Sequence, residues 1–142
     1  MIVFDIDGTL SPTREEEAFG IPGETAEAFG FQIFIPQHLL DFLRGRDDIA
    51  LLSTWDAEAA SLAEAFAFKA QTLLISDYSD ERGINGKFDV INELKPTGWA
   101  DDHIKPFMAT WCKPLEIAVT IPKRGFVTEP ELSKFVKSFK ES

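Results

Sequence analysis

The hexapeptide Asp5-Ile6-Asp7-Gly8-Thr9-Leu10 follows the apolar run Met1 to Phe4 and spaces two carboxylates where a buried strand would end and a glycine turn begin. Strand positions i and i+2 face the same side, so Asp5 and Asp7 can converge on one small volume. Two anions held that close repel. The arrangement persists only with a cation between them or a proton on one of them, which is the electrostatic description of a metal or acid/base site.

More polar residues fall where other strands are predicted to end. Ser53 and Thr54 follow the apolar run Ile49 to Leu52, and Asp101 and Asp102 follow Gly98-Trp99-Ala100. Lys87 is predicted to open the helix before that last strand. Four carboxylates, a hydroxyl and an ammonium thereby collect at one edge of one sheet, and phosphoryl transfer requires such a set. A carboxylate attacks phosphorus to form an acyl phosphate, dividing one difficult displacement into two easier ones. Magnesium, a hard cation that prefers oxygen ligands, offsets the repulsion between nucleophile and phosphate. A hydroxyl and a lysine hold the phosphoryl oxygens, and a second carboxyl group moves protons to the leaving oxygen and from water.

The elements that must position these groups alternate. Ile2 to Ile6, Gln32 to Ile35, Ile49 to Leu52, Thr72 to Ile75, Gly98 to Ala100 and Ile117 to Ile121 read as strands. Helices are predicted from Pro36 to a stop at Gly45, after Ser53-Thr54-Trp55-Asp56 to about Lys69, from Lys87 to a stop at Pro96, and over Glu129 to Phe139 after the Pro130 start signal. Leu62, Ala63, Phe66 and Ala70 form the inner face of the second of these. Residues 11 to 31, with Pro12, Pro22, three consecutive glutamates and several glycines, predict an acidic flap with little core, and Ser76 to Gly86 predicts a loop. The tetrapeptide Glu-Ala-Phe-Gly occurs at 17 to 20 and 27 to 30 without a third copy, so it marks no repeat architecture. Residues 104 to 115 carry no clear pattern. Alternating strands and helices predict an α/β, three-layer Rossmann-like parallel sheet with helices on both faces, joined by right-handed crossovers, with ligand beyond the carboxyl ends of the strands.

A chain of 142 residues predicts a single domain spanning 1 to 142. No apolar stretch reaches the roughly 18 residues of a membrane span and no signal peptide is evident, so a soluble, cytoplasmic protein is expected. Cys112 is alone, which excludes an internal disulfide and a cysteine zinc site and predicts a buried, inert thiol. A formal net charge of -10 opposes nonspecific attraction to a nucleic-acid backbone. The charge is uneven, with twenty acids against seven bases over 1 to 102 and four against seven over 103 to 142. The basic end is read as the solvated face of a terminal helix for Lys134, Lys137 and Lys140, or as one face meeting an anionic ligand.

With these residues in place, the chain resembles the haloacid dehalogenase-like (HAD) superfamily. Asp5 to Leu10 is similar to its first motif, Leu51-Leu52-Ser53 to its second, Lys87 to its third and Trp99-Ala100-Asp101-Asp102 to its fourth, in order and over about residues 1 to 139. The Ser53-Thr54-Trp55 turn, the short Lys87 to Asp102 segment and Arg124-Gly125-Phe126-Val127-Thr128 also resemble small HAD domains associated with RNA-repair modules. The resemblance implies a magnesium-dependent phosphatase in which Asp5 is the nucleophile, Asp7 the general acid/base, Ser53 the phosphate-binding hydroxyl and Lys87 the stabiliser of the phospho-intermediate. Magnesium would be held by Asp5, the Asp7 backbone carbonyl and Asp101, with Asp102 nearby.

Simpler roles compete at several of these positions. Ser53 at this place also serves as a helix cap, and Thr54 competes for the phosphate. Trp55 either lines a substrate pocket, stacking on a base, or packs in the core. Lys95 is the alternative to Lys87, and His103 is read as a surface residue or a neighbour of the site. Glu15, Glu16 and Glu17 are read as solvated. About twenty residues between the first motif and the next regular element leave no room for a sizeable cap domain. An open site suits a bulky phosphorylated substrate, such as a protein or nucleic-acid end, or a cover supplied by an oligomeric partner. The alternatives are a nucleic-acid end phosphatase and a catalytically silent phosphate- or metal-binding module.

Overall fold

The computed structural model describes residues 1–13, 15–122 and 130–140, with the side chains of 15, 16 and 140 excepted. The Arg124 to Thr128 segment, Glu129 and the Glu15, Glu16 and Lys140 side chains lie outside what is described. In chain order the elements are β1 (Ile2–Phe4), β2 (Gly23–Ala28), β3 (Phe31–Pro36), α1 (Gln37–Arg44), β4 (Ile49–Leu51), α2 (Ala59–Ala65), β5 (Gln71–Thr72), α3 (Gly83–Leu94), β6 (Gly98–Ala100), α4 (Pro106–Cys112), β7 (Ala118–Thr120) and α5 (Pro130–Lys140). Five strands form a parallel sheet of order β5-β4-β1-β6-β7, and β2 pairs with β3 in a separate antiparallel hairpin. The strand order reverses at β1, so the crevice between the carboxyl ends of β1 and β6 is the place where a ligand fits such a sheet.

Period-two alternation along β1 builds the layers. Ile2 and Phe4 pack with Leu39, Leu43, Leu62 and Phe135, on the side of α1, α2 and α5, while Val3 packs with Val90, Ile91 and Met108, on the side of α3 and α4. Both faces of the central strand are buried, which is why its sequence is a continuous apolar run. Phe4 sits edge-on to Phe42 and Phe135 at 6.3 and 6.1 Å, fixing the strand one residue before Asp5. Truncating it to alanine would cost about 3–5 kcal/mol. Lys134 and Lys137 are exposed, in keeping with a solvated helix face. Cys112 is a buried free cysteine whose thiol is pushed up by burial. No helix among the described residues is long and apolar enough to cross a membrane.

Several elements differ from the sequence-based expectation. The acidic flap is largely ordered: Glu15–Ala18 forms a 3₁₀ turn, and residues expected to be loop supply β2. Glycine, glutamate and alanine have low strand propensity, but β2 pairs along its whole length with β3 and turns Ala28 inward. Its two-residue connection, Phe29-Gly30, has φ of 50° and 77°, the left-handed pair a tight hairpin needs. Arg44 fastens the base, donating to Glu24 on β2 at 2.6 and 3.0 Å and to the Phe66 carbonyl at 2.8 and 3.1 Å.

Helix α2 stops at Ala65, short of Lys69. Ala67 takes φ of 56°, and the amides of Ala67 and Phe68 return to the carbonyls of Glu64 and Ala63 while the Phe68 ring is buried. Strand β5 is two residues long because β4 ends at Leu51; Leu73 still donates to the Leu51 carbonyl, and Ile75 enters a 3₁₀ turn. Pro36 ends β3 and stands at the N-cap of α1 rather than inside its first turn. Helix α3 begins at Gly83, so Lys87 lies in its second turn rather than at its start. Its opening Gly-Ile-Asn-Gly favours helix weakly, but a side chain at Gly86 would strike the Glu81 backbone and Ile75. Residues 104 to 115 resolve into α4 and a 3₁₀ turn, with Pro106 as the first helical residue.

Candidate active site

The chain leaves the sheet at Asp5, whose amide donates to the Ala100 carbonyl at 2.9 Å and so binds the end of β1 to the end of β6. The neighbouring strand delivers Asp101 to the same place. Lys87 comes from α3, where a long side chain leans back toward the helix N-terminus and reaches the strand ends. Its Nζ donates to Asp5 Oδ1 at 3.0 Å and to Asp101 Oδ2 at 2.7 Å, with all three residues buried. Asp101 Oδ1 accepts from the His103 amide at 2.8 Å, leaving both of its oxygens engaged.

Asp102 lies on the outer side of this group and approaches His103 Nδ1 at 3.0 Å. Gly8 is what lets it in. Its φ is 79°, and a Cβ there would run into the Asp102 carboxylate, so the turn after Asp7 and the end of β6 close on each other only with glycine at this position. Asp5, Asp101, Asp102 and His103 each offer a ligand atom, all within 4.8 Å of one another, a grouping that could hold a metal ion. Three carboxylates face one ammonium, and this oxygen-rich, net negative donor set fits a hard divalent cation.

The electrostatics agree. Burial, reinforced by the Asp101 charge, drives the Asp5 carboxyl well above the usual carboxylate range, and the Lys87 ammonium offsets only part of this. Burial also works against the Lys87 ammonium, but the charges of Asp5 and Asp101 outweigh it and hold Lys87 above its ordinary value. The lysine is therefore held as a cation between the two carboxyl groups.

The two aspartates of the opening motif do not share one environment. Asp7 is exposed, and its Oδ2 accepts from the Trp55 indole Nε1 at 3.0 Å. Its carboxylate lies outside the converging group. Ser53 is buried at the end of β4, and its Oγ accepts from the Trp55 amide at 3.1 Å, a local turn rather than a helix cap. Thr54 is exposed and lines a cavity of about 340 Å³ together with Gly83, Ile84, Lys87, His103 and Lys105. A second cavity of about 550 Å³ adjoins it, sharing Thr54 and Gly83 and extending to Ser76 and Arg82. Trp55 is half-buried, packs against the core and meets the Phe29 ring at 5.7 Å. Lys95 is exposed at the other end of the sheet, beside the start of β6, and takes no part.

His103 lies where the sequence places it, exposed and beside the site, with its amide on Asp101 and its ring against Asp102. One residue at the site, Lys105 on the cavity rim, was not singled out from the sequence. The one available signal for Lys105 was the excess of bases after residue 102. No protein-family model, curated protein or solved structure matches the chain, so its own geometry carries the functional reading. Chemically, the arrangement combines a fixed buried cation, an oxygen donor set for a metal, a buried carboxylate facing both, and a second carboxylate exposed to solvent.

Proposed function

We propose that this chain is a magnesium-dependent phosphomonoesterase of the HAD type, working through an aspartyl-phosphate on Asp5. The observation that carries the reading is the Lys87 ammonium shared between Asp5 and Asp101 at the carboxyl ends of two adjacent parallel strands. Asp5, Asp101 and Asp102 would hold Mg²⁺, with the Asp7 backbone carbonyl, and the bound ion would neutralise charge between carboxylate and phosphate.

In the first step an Asp5 carboxylate oxygen bonds to phosphorus and the ester P–O bond breaks. The leaving oxygen keeps the electron pair and takes a proton from Asp7. Lys87, the Ser53 hydroxyl and, at the rim, Thr54 face the phosphoryl oxygens as charge redistributes. In the second step water bonds to phosphorus, gives a proton to the Asp7 carboxylate, and the acyl P–O bond breaks to return Asp5 and inorganic phosphate. Between the first motif and α1 the chain carries only a 3₁₀ turn and the β2–β3 hairpin, which supports a substrate approached from an open side, including a phosphorylated group on a larger molecule.

The test is steady-state hydrolysis of a panel of aryl, sugar, nucleotide, oligonucleotide and peptide phosphates, with and without Mg²⁺, alongside beryllium fluoride trapping. Metal-dependent release of phosphate and an adduct on Asp5 are expected. Absence of release across the panel, with beryllium fluoride still bound, reassigns the pocket to phosphate or metal binding without turnover.

A further inference from the structure

Asp7 is exposed, so burial does nothing to fix its carboxylate. A group that hands over a proton must nevertheless lie within about 2.6–3.2 Å of the oxygen that receives it. Trp55 supplies the missing constraint. Its indole donates to Asp7 Oδ2 at 3.0 Å. An indole N–H is a donor only, so it engages one carboxyl oxygen and leaves Oδ1 to carry the proton.

Trp55 is itself held from three sides. Its amide is bonded to Ser53 Oγ, its ring packs against the core, and Phe29 closes over it with the ring centres 5.7 Å apart. Phe29 pays for that contact in backbone conformation: it occupies the first loop position of the hairpin at φ of 50°, where asparagine or glycine is the relaxed choice. Arg44 meanwhile pins the base of the same hairpin to α1 and α2. The hairpin is therefore braced at one end and pressed on Trp55 at the other.

We infer that Trp55, clamped by Phe29, is the positioning residue for proton transfer at Asp7, so that the hairpin sets the efficiency of leaving-group protonation. The inference rests on the reading of Asp7 as general acid/base. With Oδ2 fixed by the indole, Oδ1–H faces the ester oxygen; as the P–O bond breaks that oxygen keeps the electron pair and receives the proton. The resulting carboxylate takes a proton back from the water that bonds to phosphorus.

Protonation matters most when the leaving oxygen is basic, and a nitrophenolate departs without it. The experiment therefore measures kcat and KM for the full chain with Mg²⁺ on a series from nitrophenyl through phenyl to methoxyphenyl phosphate, with melting curves to establish folding. Trp55→Phe keeps the ring and removes the donor. It is expected to lower kcat/KM, which reports the step in which the leaving group departs, about tenfold on methoxyphenyl phosphate and less than about threefold on nitrophenyl phosphate. Phe29→Ala is expected to shift the series in the same sense by less. Asp7→Asn sets the limiting pattern, with losses of about 10²–10⁴ at the basic end. Equal losses along the series in Trp55→Phe, or none, overturn the positioning role while wild-type turnover stands. An inactive wild type overturns the phosphatase reading and the inference with it.

Discussion

Asp5 and Asp7 belong to one hexapeptide and live in opposite environments. Asp5 is buried, shares Lys87 with Asp101 and has its carboxyl driven upward by burial. Asp7 is exposed and is held by a single indole from a loop that a hairpin braces. The first is positioned by strand ends, which packing on both faces of the sheet fixes. The second is positioned by side chains in turns. The difference separates the two demands of the proposed chemistry: a nucleophile needs a rigid, desolvated place beside a cation, and a proton carrier needs access to water.

The largest effect expected from this contrast is that of Asp5→Asn, which should lower turnover by about 10⁴ or more. Stability should move the other way. A carboxyl whose folded pKa lies above its unfolded value contributes stability that is full below the unfolded pKa and lost as pH rises through the folded pKa. Above the unfolded pKa and without divalent metal, ionising Asp5 therefore disfavours the fold, and the amide removes that cost. Asp5→Asn should melt above wild type at pH 7, and the gap should narrow as pH falls through the Asp5 pKa. A variant that melts below wild type at neutral pH in chelator would mean that Lys87 compensates the Asp5 charge fully.

Lys87→Met probes the same buried group from its cation. Removing one partner of a buried ion pair leaves the others uncompensated, and the expected loss is about 3–5 kcal/mol by urea denaturation in chelator. Excess Mg²⁺ should recover part of it by supplying a cation to the same carboxylates. Asp7→Asn, by contrast, should stay within about 0.5 kcal/mol of wild type, as surface substitutions do. If Lys87→Met cost no more than that, the buried and exposed halves of the motif would not differ energetically in the way their geometry implies.

The same division explains what could be read from residue order. Asp5, Asp101 and the strands that present them were legible because β1 and β6 are uninterrupted apolar runs that end in acids. Lys87 was legible as a partner but not in its place, since Gly83 and Gly86 hid the first turn of α3. The Trp55–Asp7 bond was not legible, because it depends on where two turns lie in space and on a hairpin whose Glu, Ala and Gly residues carry little strand signal. His103 was legible as a neighbour of the site but not in its contacts, for a similar reason. Its amide bonds Asp101 and its ring approaches Asp102, contacts set by the local turn after β6 rather than by any spacing along the chain.

The smallest effects separate Ser53 from Thr54. Ser53 is buried and accepts from the Trp55 amide, so its hydroxyl proton remains to be donated to a phosphoryl oxygen. Thr54 is exposed on the cavity wall and tied to nothing else in its turn that would aim it. Ser53→Ala should cost about 0.5–1.5 kcal/mol through the lost turn bond and lower kcat/KM about tenfold. Thr54→Val should leave stability within about 0.5 kcal/mol and change KM by less than about threefold. Parallel melting curves and kinetics on one aryl phosphate decide the order. The reverse ranking in kcat/KM, with the stability costs as expected, would move the phosphate hydroxyl one residue outward to Thr54 and make Ser53 a support for Trp55 alone.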